Sequence, residues 1–169
     1  MDIRNFREQD RESVIKLWHA CDLTRSWNDP NKDIDRKLAF QADLFFVGTI
    51  NRPQALNRPR ALNRPRALNR PRALNESQQQ VRSTLVATAM AGYDGHRGSV
   101  FYLAIAPEYQ NLGYGKQLMN HIENTLLDLE CPKLNIVVRN TNIKVKQFYD
   151  SLSYQEDSVI SIGKRLIAD

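Results

Sequence analysis

The spacing of hydrophobic residues changes several times along the chain, and each change predicts an element of secondary structure. Residues 3–6 alternate as in a short strand, and apolar positions from 14 to 21 recur as on one face of a helix that Asp10 would cap. A weaker helical pattern covers residues 34–42, and residues 44–50, LFFVGTI, form an apolar run typical of a buried strand. The first part of the chain therefore predicts the order strand, helix, helix, strand.

The second half of the chain alternates strand and helix patterns. Strand patterns cover residues 83–92 and 99–106, and Asp94-Gly95 between them is typical of a hairpin turn. The later spacing predicts helices over residues 113–130 and 142–152 and strands over residues 134–138 and 158–166. A hairpin requires an antiparallel pair, whereas the strand–helix–strand crossover requires a parallel pair with a right-handed connection. We therefore expect an α/β (α+β) domain with a mixed, mostly antiparallel sheet flanked by helices.

A tandem repeat, NRPQALNRPRALNRPRALNRPRALN at residues 51–75, interrupts these patterns. A proline every six residues excludes a continuous helix there. The repeat carries seven arginines and no acid, while the rest of the chain has 17 basic and 19 acidic residues, so the formal net charge of +5 comes from this one segment. We interpret the repeat as an expansion in the turn between two strands, which makes residues 51–82 an insertion in a single domain of residues 1–169.

Cysteine usage and hydropathy argue against several classes of protein. Cys21 and Cys131 form neither a CxxC pattern nor a disulfide framework, and no metal site is expected. The N-terminus is charged from its second residue, and no apolar stretch is long enough for a signal peptide or a membrane span. We expect a cytoplasmic protein without membrane attachment.

A glycine-containing loop, QNLGYGK at residues 110–116, joins the predicted central strand to the long helix. Gly113 and Gly115 let the backbone turn tightly and approach a ligand, and the first helical amides, the helix dipole and Lys116 favour an anion. The loop lacks the spacing of a Walker A motif and of a complete G-x-G-x-x-G fingerprint. From these residues alone, a pyrophosphate site and a plain tight turn are both open.

Two patterns together resemble the GNAT superfamily of N-acetyltransferases. The Q-x-x-G-x-G stretch that starts at Gln110 is similar to that family's R/Q-x-x-G-x-G/A motif for acyl-CoA. Asn142, Tyr149 and Tyr154 are similar to its N-x-x-A-x-x-x-Y-x-x-x-G-F pattern. The order of elements also fits, so the resemblance covers the chain except about residues 51–82.

Three further stretches, SWNDP, GYDGHRGS and SIGKRLI, are similar to a small bacterial subgroup of this superfamily. The chain also departs from the family pattern. Val145 replaces the usual small alanine, and Ser153 replaces the glycine that precedes the aromatic residue. Residues 103–106 hold no carboxylate, whereas some members of the family place a catalytic glutamate on this strand.

The resemblance implies the GNAT fold with the parallel crossover at the CoA site. It also implies an enzyme that moves an acetyl group from acetyl-CoA to a primary amine by direct attack in a ternary complex. Tyr149 would be the general acid next to the thioester sulfur. Trp27 would form a wall of the acceptor pocket, with Asn28 and Asp29 in contact with a cationic amine. Contacts with acetyl-CoA would come from the central strand, the loop after it and one later asparagine: Leu103, Ala104, Ile105, Gln110, Asn111, Leu112, Gly113, Tyr114, Gly115, Lys116 and Asn142.

The residues themselves leave several roles open. Tyr149 lies on the apolar stripe of its helix, so it could be a core residue with its hydroxyl satisfied at the edge. The segment around Trp27 could equally be a capping turn with a packed tryptophan. Asp94, His96 and Tyr102 are candidates for the general base, but Asp94 suits a turn and a water-mediated path suits the reaction as well. No base is assigned.

The partners are less constrained than the chemistry. A small-molecule amine, a protein N-terminus and a lysine side chain are all open as the acceptor. The oligomeric state is open between a monomer and a homodimer. The competing hypothesis is an Arg-rich repeat that binds nucleic acid or protein on a catalytically inactive CoA-binding fold. The repeat has no aromatic residue for base stacking and no P-x-x-P pattern, which argues against a nucleic-acid partner and against recognition as a proline-rich ligand.

Overall fold

A computed structural model describes residues 1–52 and 82–167. Its strands are β1 Asp2–Asn5, β2 Phe45–Arg52, β3 Arg82–Tyr93, β4 Gly98–Ile105 and β5 Leu134–Asn135. Its helices are α1 Arg11–Ala20, α2 Pro30–Ala39, α3 Tyr114–Asp128 and α4 Ile143–Asp150. Short 3-10 helices cover Glu8–Asp10, Ala42–Leu44 and Pro107–Tyr109. The expected insertion over residues 51–82 lies, for residues 53–81, outside the described residues.

Within the described residues, five strands form one mixed sheet in the order β1-β2-β3-β4-β5. The first three pairings are antiparallel, and β4 pairs with β5 in parallel across α3. The expected mixed, mostly antiparallel sheet with a parallel crossover is therefore confirmed. The Asp94-Gly95 hairpin is also confirmed, with Gly95 at φ +86°, a conformation that glycine adopts without a steric penalty.

Helices cover both faces of the sheet. Phe45 lies 6.3 Å from Trp18 of α1, ring centre to ring centre, whereas the next residue, Phe46, meets the ring of His121 on α3 at 4.8 Å. Because consecutive strand residues point to opposite faces, α1 and α3 must lie on opposite sides of β2. The sheet is therefore the middle layer, and its core residues are inaccessible to water from either side.

The expected strand over residues 158–166 was wrong. The structure assigns no strand there, and residues 155–167 are all exposed. The edge strand β5 pairs over two residues only, so it offers almost no ladder to which a further strand could bond. The apolar side chains that suggested a buried strand stand in solvent with 64–91% of their surface exposed: Val159, Ile160, Ile162, Leu166 and Ile167.

Candidate active site

The loop that follows β4 leaves the first turn of α3 facing open space. Gly113 precedes the helix with φ +80°, and a Cβ at this position would meet no atom within 4 Å. The side-chain amide of Gln110 donates to the carbonyl of Ile105 at 3.1 Å, which fastens the loop to the end of the strand. Because the first amides of a helix have no partner within it, this loop presents donors to whatever lies in front of it.

Gly115 has a different role from Gly113. A Cβ at position 115 would lie 3.0 Å from Cε2 and 3.1 Å from Cζ of Phe148 on α4. The missing side chain thus lets the start of α3 pack closely against α4. The loop needs one glycine for its turn and the other for helix packing.

Strand β4 has an unpaired stretch of backbone beside this loop. It pairs with β5 at Gly98 and Ser99 only, and no other described strand bonds to that edge. The register with β3 shifts between Met90–Phe101 and Thr88–Ala104, and Tyr102 lies in this bulge with φ +52°. Leu103–Ile105 therefore come directly after a β-bulge, and the edge of β4 that faces away from β3 has no described neighbouring strand at these residues.

Tyr149 of α4 is buried, with 8% of its surface exposed, and its ring lies 5.1 Å from that of Phe148 and 5.5 Å from that of Tyr154. No described residue makes a hydrogen bond with its hydroxyl. Burial raises the pKa of Tyr149 to about 12. The phenol therefore stays protonated at neutral pH, with its hydroxyl available to a ligand. The ring of Tyr149 lies in the core, as expected for a structural residue. Its hydroxyl, however, forms no hydrogen bond with a described residue.

Asn142 begins α4. Its side-chain oxygen accepts a hydrogen bond of 3.3 Å from the amide of Val145, so the residue is an N-cap. Asn142 is exposed, and a carboxamide that uses its oxygen as a cap still has its NH₂ group as a donor.

The loop between α1 and α2 holds the three expected acceptor residues. Asp29 accepts from the amide of Asn31 at 2.8 Å and caps α2, so the capping turn is confirmed. Trp27, however, is 53% exposed and is not packed in the core. Arg165 from the C-terminal segment donates to the carbonyl of Trp27 at 3.0 Å and lies 3.5 Å from Oδ1 of Asn28.

Asp33 of α2 faces the bulge of β4. Its Oδ2 accepts from the hydroxyl of Tyr102 at 2.5 Å and lies 3.5 Å from the side-chain nitrogen of Asn28. Its Oδ1 pairs with Arg36 at 3.2 Å. The ring of Tyr102 stacks on the buried Trp18 at 4.0 Å, which fixes the direction of the hydroxyl. A carboxylate and a phenol thus meet between β4 and the loop that joins α1 to α2.

Sequence and structure comparisons connect these features to known proteins. The sequence model of the "Acetyltransferase (GNAT) family" matches residues 60–154. An acetyltransferase of Yersinia pestis is 39% identical over 169 residues, which cover 100% of this chain and 98% of that protein. The chain belongs to the GNAT acetyltransferase family. It is therefore an N-acetyltransferase.

Solved structures support the fold of this acetyltransferase. Ard1 from Thermoplasma volcanium superposes with a TM-score of 0.65 at 16% identity, over 93% of this chain and 84% of that one. AAC(6′)-Iy, in complex with the bisubstrate analog CoA-S-monomethyl-acetylneamine, superposes with a TM-score of 0.60 at 16% identity, over 97% of each chain. At such low identity, these matches show the GNAT fold alone.

The three candidate bases of the acetyltransferase have different environments. Asp94 accepts from the amides of His96 and Arg97 at 2.7 and 2.6 Å, so it is a turn residue as expected, and these bonds lower its pKa. His96 is exposed on the same turn. Tyr102 donates to Asp33 and lies next to Leu103. Of the three candidates, Tyr102 alone lies beside Leu103–Ile105, the strand positions expected to contact acetyl-CoA.

Asp33 was missed by the sequence analysis. An acid three residues before an arginine on a polar helix is typical of a solvated surface pair, so the sequence gave no reason to select it. In residues 1–52 and 82–167 no cluster of three His, Cys, Asp or Glu side chains could hold a metal ion. The same part of the chain contains no helix that is both long and apolar enough to span a membrane.

Proposed function

We propose that this acetyltransferase binds acetyl-CoA along β4 and the start of α3 and transfers the acetyl group to a primary amine by direct attack in a ternary complex. Acetyl-CoA is the cosubstrate of the fold, as the CoA-bisubstrate complex of AAC(6′)-Iy illustrates. The single observation that carries the proposal is the unpaired edge of β4 leading into the open N-terminus of α3.

The extended pantetheine arm carries amide groups that could bond to a free strand edge, as an added peptide strand does. Leu103 and Ala104 offer such backbone groups, and Ile105 offers its amide, since its carbonyl already accepts from Gln110. The next segment, residues 110–116, offers the first amides of α3 and the charge of Lys116 to the pyrophosphate. The two sites follow each other in the chain, in the same order as the two parts of CoA, which supports a single binding path.

The reaction forms a bond between the amine nitrogen and the acetyl carbon, and breaks the bond between that carbon and sulfur. The amine loses a proton through water or a base, and the proposal assigns no residue to that step. The departing thiolate gains a proton, and Tyr149 is the proposed donor. A phenol with a pKa of about 12 is a weak acid, but burial also raises the basicity of a thiolate in the same place.

The acceptor would enter from the opposite side of β4, past the exposed ring of Trp27. Asn28 and Asp29 lie on the same loop, and Asn142 would contact the CoA arm with its free NH₂ group. What supports this arrangement is the position of the loop next to the bulge at Tyr102, through Asn28 and Asp33.

The test compares two glycines that have similar positive φ angles and open space around the Cβ position. Gly113 and Gly95 have φ +80° and +86°, and neither position has an atom within 4 Å of a Cβ. Gly113→Glu should abolish acetyl-CoA binding measured by calorimetry, because a carboxylate would occupy the proposed pyrophosphate site. Gly95→Glu carries the same strain at the distant hairpin and should keep the wild-type affinity.

Retained acetyl-CoA affinity in Gly113→Glu would refute the proposed cofactor path. Equal loss of affinity in both variants would mean that the effect is one of folding, and would also count against the path. Turnover is then followed by release of free CoA thiol with a panel of primary amines. Wild-type protein that binds acetyl-CoA but acetylates no amine would contradict the proposed reaction.

A further inference from the structure

An open surface cavity of about 550 Å³ lies between α2 and the exposed C-terminal segment. It is lined by Arg36, Gly163, Lys164, Arg165, Leu166 and Ile167. Three of these side chains are cationic and none is acidic. An open cavity with this charge is chemically suited to an anionic group, because charge-assisted hydrogen bonds from Arg and Lys are strongest to carboxylate and phosphate oxygens.

The three cations of the cavity have different partners among the described residues. Arg36 pairs with Asp33 at 3.2 Å. Arg165 donates to the carbonyl of Trp27 and lies near the side-chain oxygen of Asn28, neither of which carries a charge. Lys164 forms no ion pair with any residue in the described part of the chain. Two cations thus line the cavity without an acidic partner among the described residues.

The cavity and the candidate acceptor site share one side chain. Arg36 lines the cavity, and its guanidinium contacts Oδ1 of Asp33, whose Oδ2 accepts from Tyr102. The carboxylate of Asp33 and the cavity are therefore both in contact with the side chain of Arg36. Arg165 holds the C-terminal segment to the loop between α1 and α2 through the carbonyl of Trp27, which keeps the two sites together.

We propose that the acceptor is a small amine that also carries an anionic group, with its ammonium at Asp33 and Tyr102 and its carboxylate or phosphate in the cavity at Lys164 and Arg165. This inference rests on the proposed function, since it names the acceptor class of the same site. The amine enters as a cation held by Asp33 and gives one proton to water, so that its lone pair can attack the acetyl carbon. The intermediate loses a second proton, which balances the one that the departing thiolate takes up, and the product leaves as a neutral amide. The anion keeps its place throughout and fixes the direction of approach.

The experiment measures kcat/KM by thiol release for amines in matched pairs, at saturating acetyl-CoA. β-Alanine is compared with β-alaninamide, and O-phosphoethanolamine with ethanolamine, so that the pairs separate carboxylate from phosphate. In at least one pair the anionic member should be preferred by about tenfold or more, which corresponds to one charge-assisted contact. Lys164→Gln, and the double variant that combines Lys164→Gln with Arg165→Gln, should bring the ratio of kcat/KM for the anionic and neutral amines towards one. The KM for acetyl-CoA should stay unchanged.

Lys16→Gln is the matched control, because Lys16 lies on α1 with 78% of its side chain exposed and pairs with Glu12 at 3.8 Å. It should keep the full preference for the anionic amine. Equal kcat/KM for charged and neutral members in both pairs would overturn the inference and leave the transfer reaction intact. The same preference in wild type and in the double variant would overturn it as well.

Binding provides a readout that is independent of the chemistry. β-Alanine, O-phosphoethanolamine and their neutral partners are titrated into the CoA-loaded protein, so that the pyrophosphate site is already filled. Tighter binding of the anionic amine that is lost in the double variant would support the proposed acceptor site, even if no turnover is seen. In that case the acceptor site would stand and the proposed transfer reaction would be refuted. Binding without such a preference, together with no charge-dependent turnover, would overturn the inference.

Discussion

The hydroxyl of Tyr102 lies 2.5 Å from Oδ2 of Asp33, and this hydrogen bond joins the bulge of β4 to α2. Tyr102 has a positive φ, which costs a residue other than glycine about 1 kcal/mol or more, so neighbouring contacts must hold it there. Stacking on Trp18 and the bond to Asp33 provide two such contacts. The strained residue lies immediately before the strand positions proposed for acetyl-CoA.

Replacing Asp33 by Asn should weaken binding of the acceptor amine and leave binding of acetyl-CoA unchanged. The amide oxygen can still accept from Tyr102, but the negative charge for an ammonium is lost. We expect the KM for the amine to rise by about tenfold, as for one lost charge-assisted bond, with the KM for acetyl-CoA unchanged. Asp35→Asn, on the same helix but 65% exposed and paired with Arg11, is the control. Equal changes in both KM values would point to a general disturbance of α2 instead.

Replacing Tyr149 by Phe should lower turnover and leave the fold intact. The ring keeps its packing, and the hydroxyl gives up no bond to a described residue. We expect kcat to fall by about a hundredfold, the usual size for a lost general acid, with acetyl-CoA affinity retained. Tyr154→Phe is the reverse control. Its hydroxyl donates to Glu123 at 2.7 Å, so the free energy of unfolding should fall by about 1 kcal/mol while kcat stays the same. An unchanged kcat in Tyr149→Phe would exclude the acid role.

Residues 53–81 should be dispensable for acetyl-CoA binding. Arg52 and Arg82 stand opposite each other in the register of β2 and β3, so the two-residue turn Asn-Gly could close the hairpin in their place. We expect the shortened chain to fold and to bind acetyl-CoA with unchanged affinity by calorimetry. Loss of binding would contradict the interpretation of the repeat as an insertion. Salt-sensitive nucleic-acid binding by the full chain, absent after the replacement, would favour the Arg-rich binding module.

Lys37 should make stability depend on alkaline pH. Burial lowers its pKa from 10.5 to about 8, and its ammonium donates to the carbonyl of Ala91 at 2.6 Å. Between these two pH values the unfolded chain still holds a proton that the folded chain has released, so the free energy of unfolding rises with pH across that window. Urea unfolding should therefore show a gain for wild type relative to Lys37→Met between about pH 7.5 and pH 10. A constant difference across that range would exclude the lowered pKa, and Lys32→Met on the exposed face of α2 should show no such trend.

Most of the elements were predictable because their signals are local. The helix over residues 142–152 was indicated by spacing, and the structure confirms a helix there with Asn142 as its cap. The strand over residues 134–138 was overestimated, since only Leu134 and Asn135 find a partner. The strand over residues 158–166 failed for the same reason: apolar composition favours a strand, but a strand forms only where a neighbouring edge can bond to it.

The sequence by itself determined the helices and the hairpin, because spacing, turn residues and helix starts act over a few residues. It also predicted an anion site at residues 110–116. The family followed from those motifs, and the comparisons confirmed it. Only the tertiary structure decided that Gly115 serves packing against Phe148, and that Tyr102 meets Asp33 across 69 residues of chain. It also decided that a cationic cavity adjoins that pair. These contacts join residues that are far apart in the chain and come together only when the sheet and its helices pack. A local sequence pattern therefore cannot predict them.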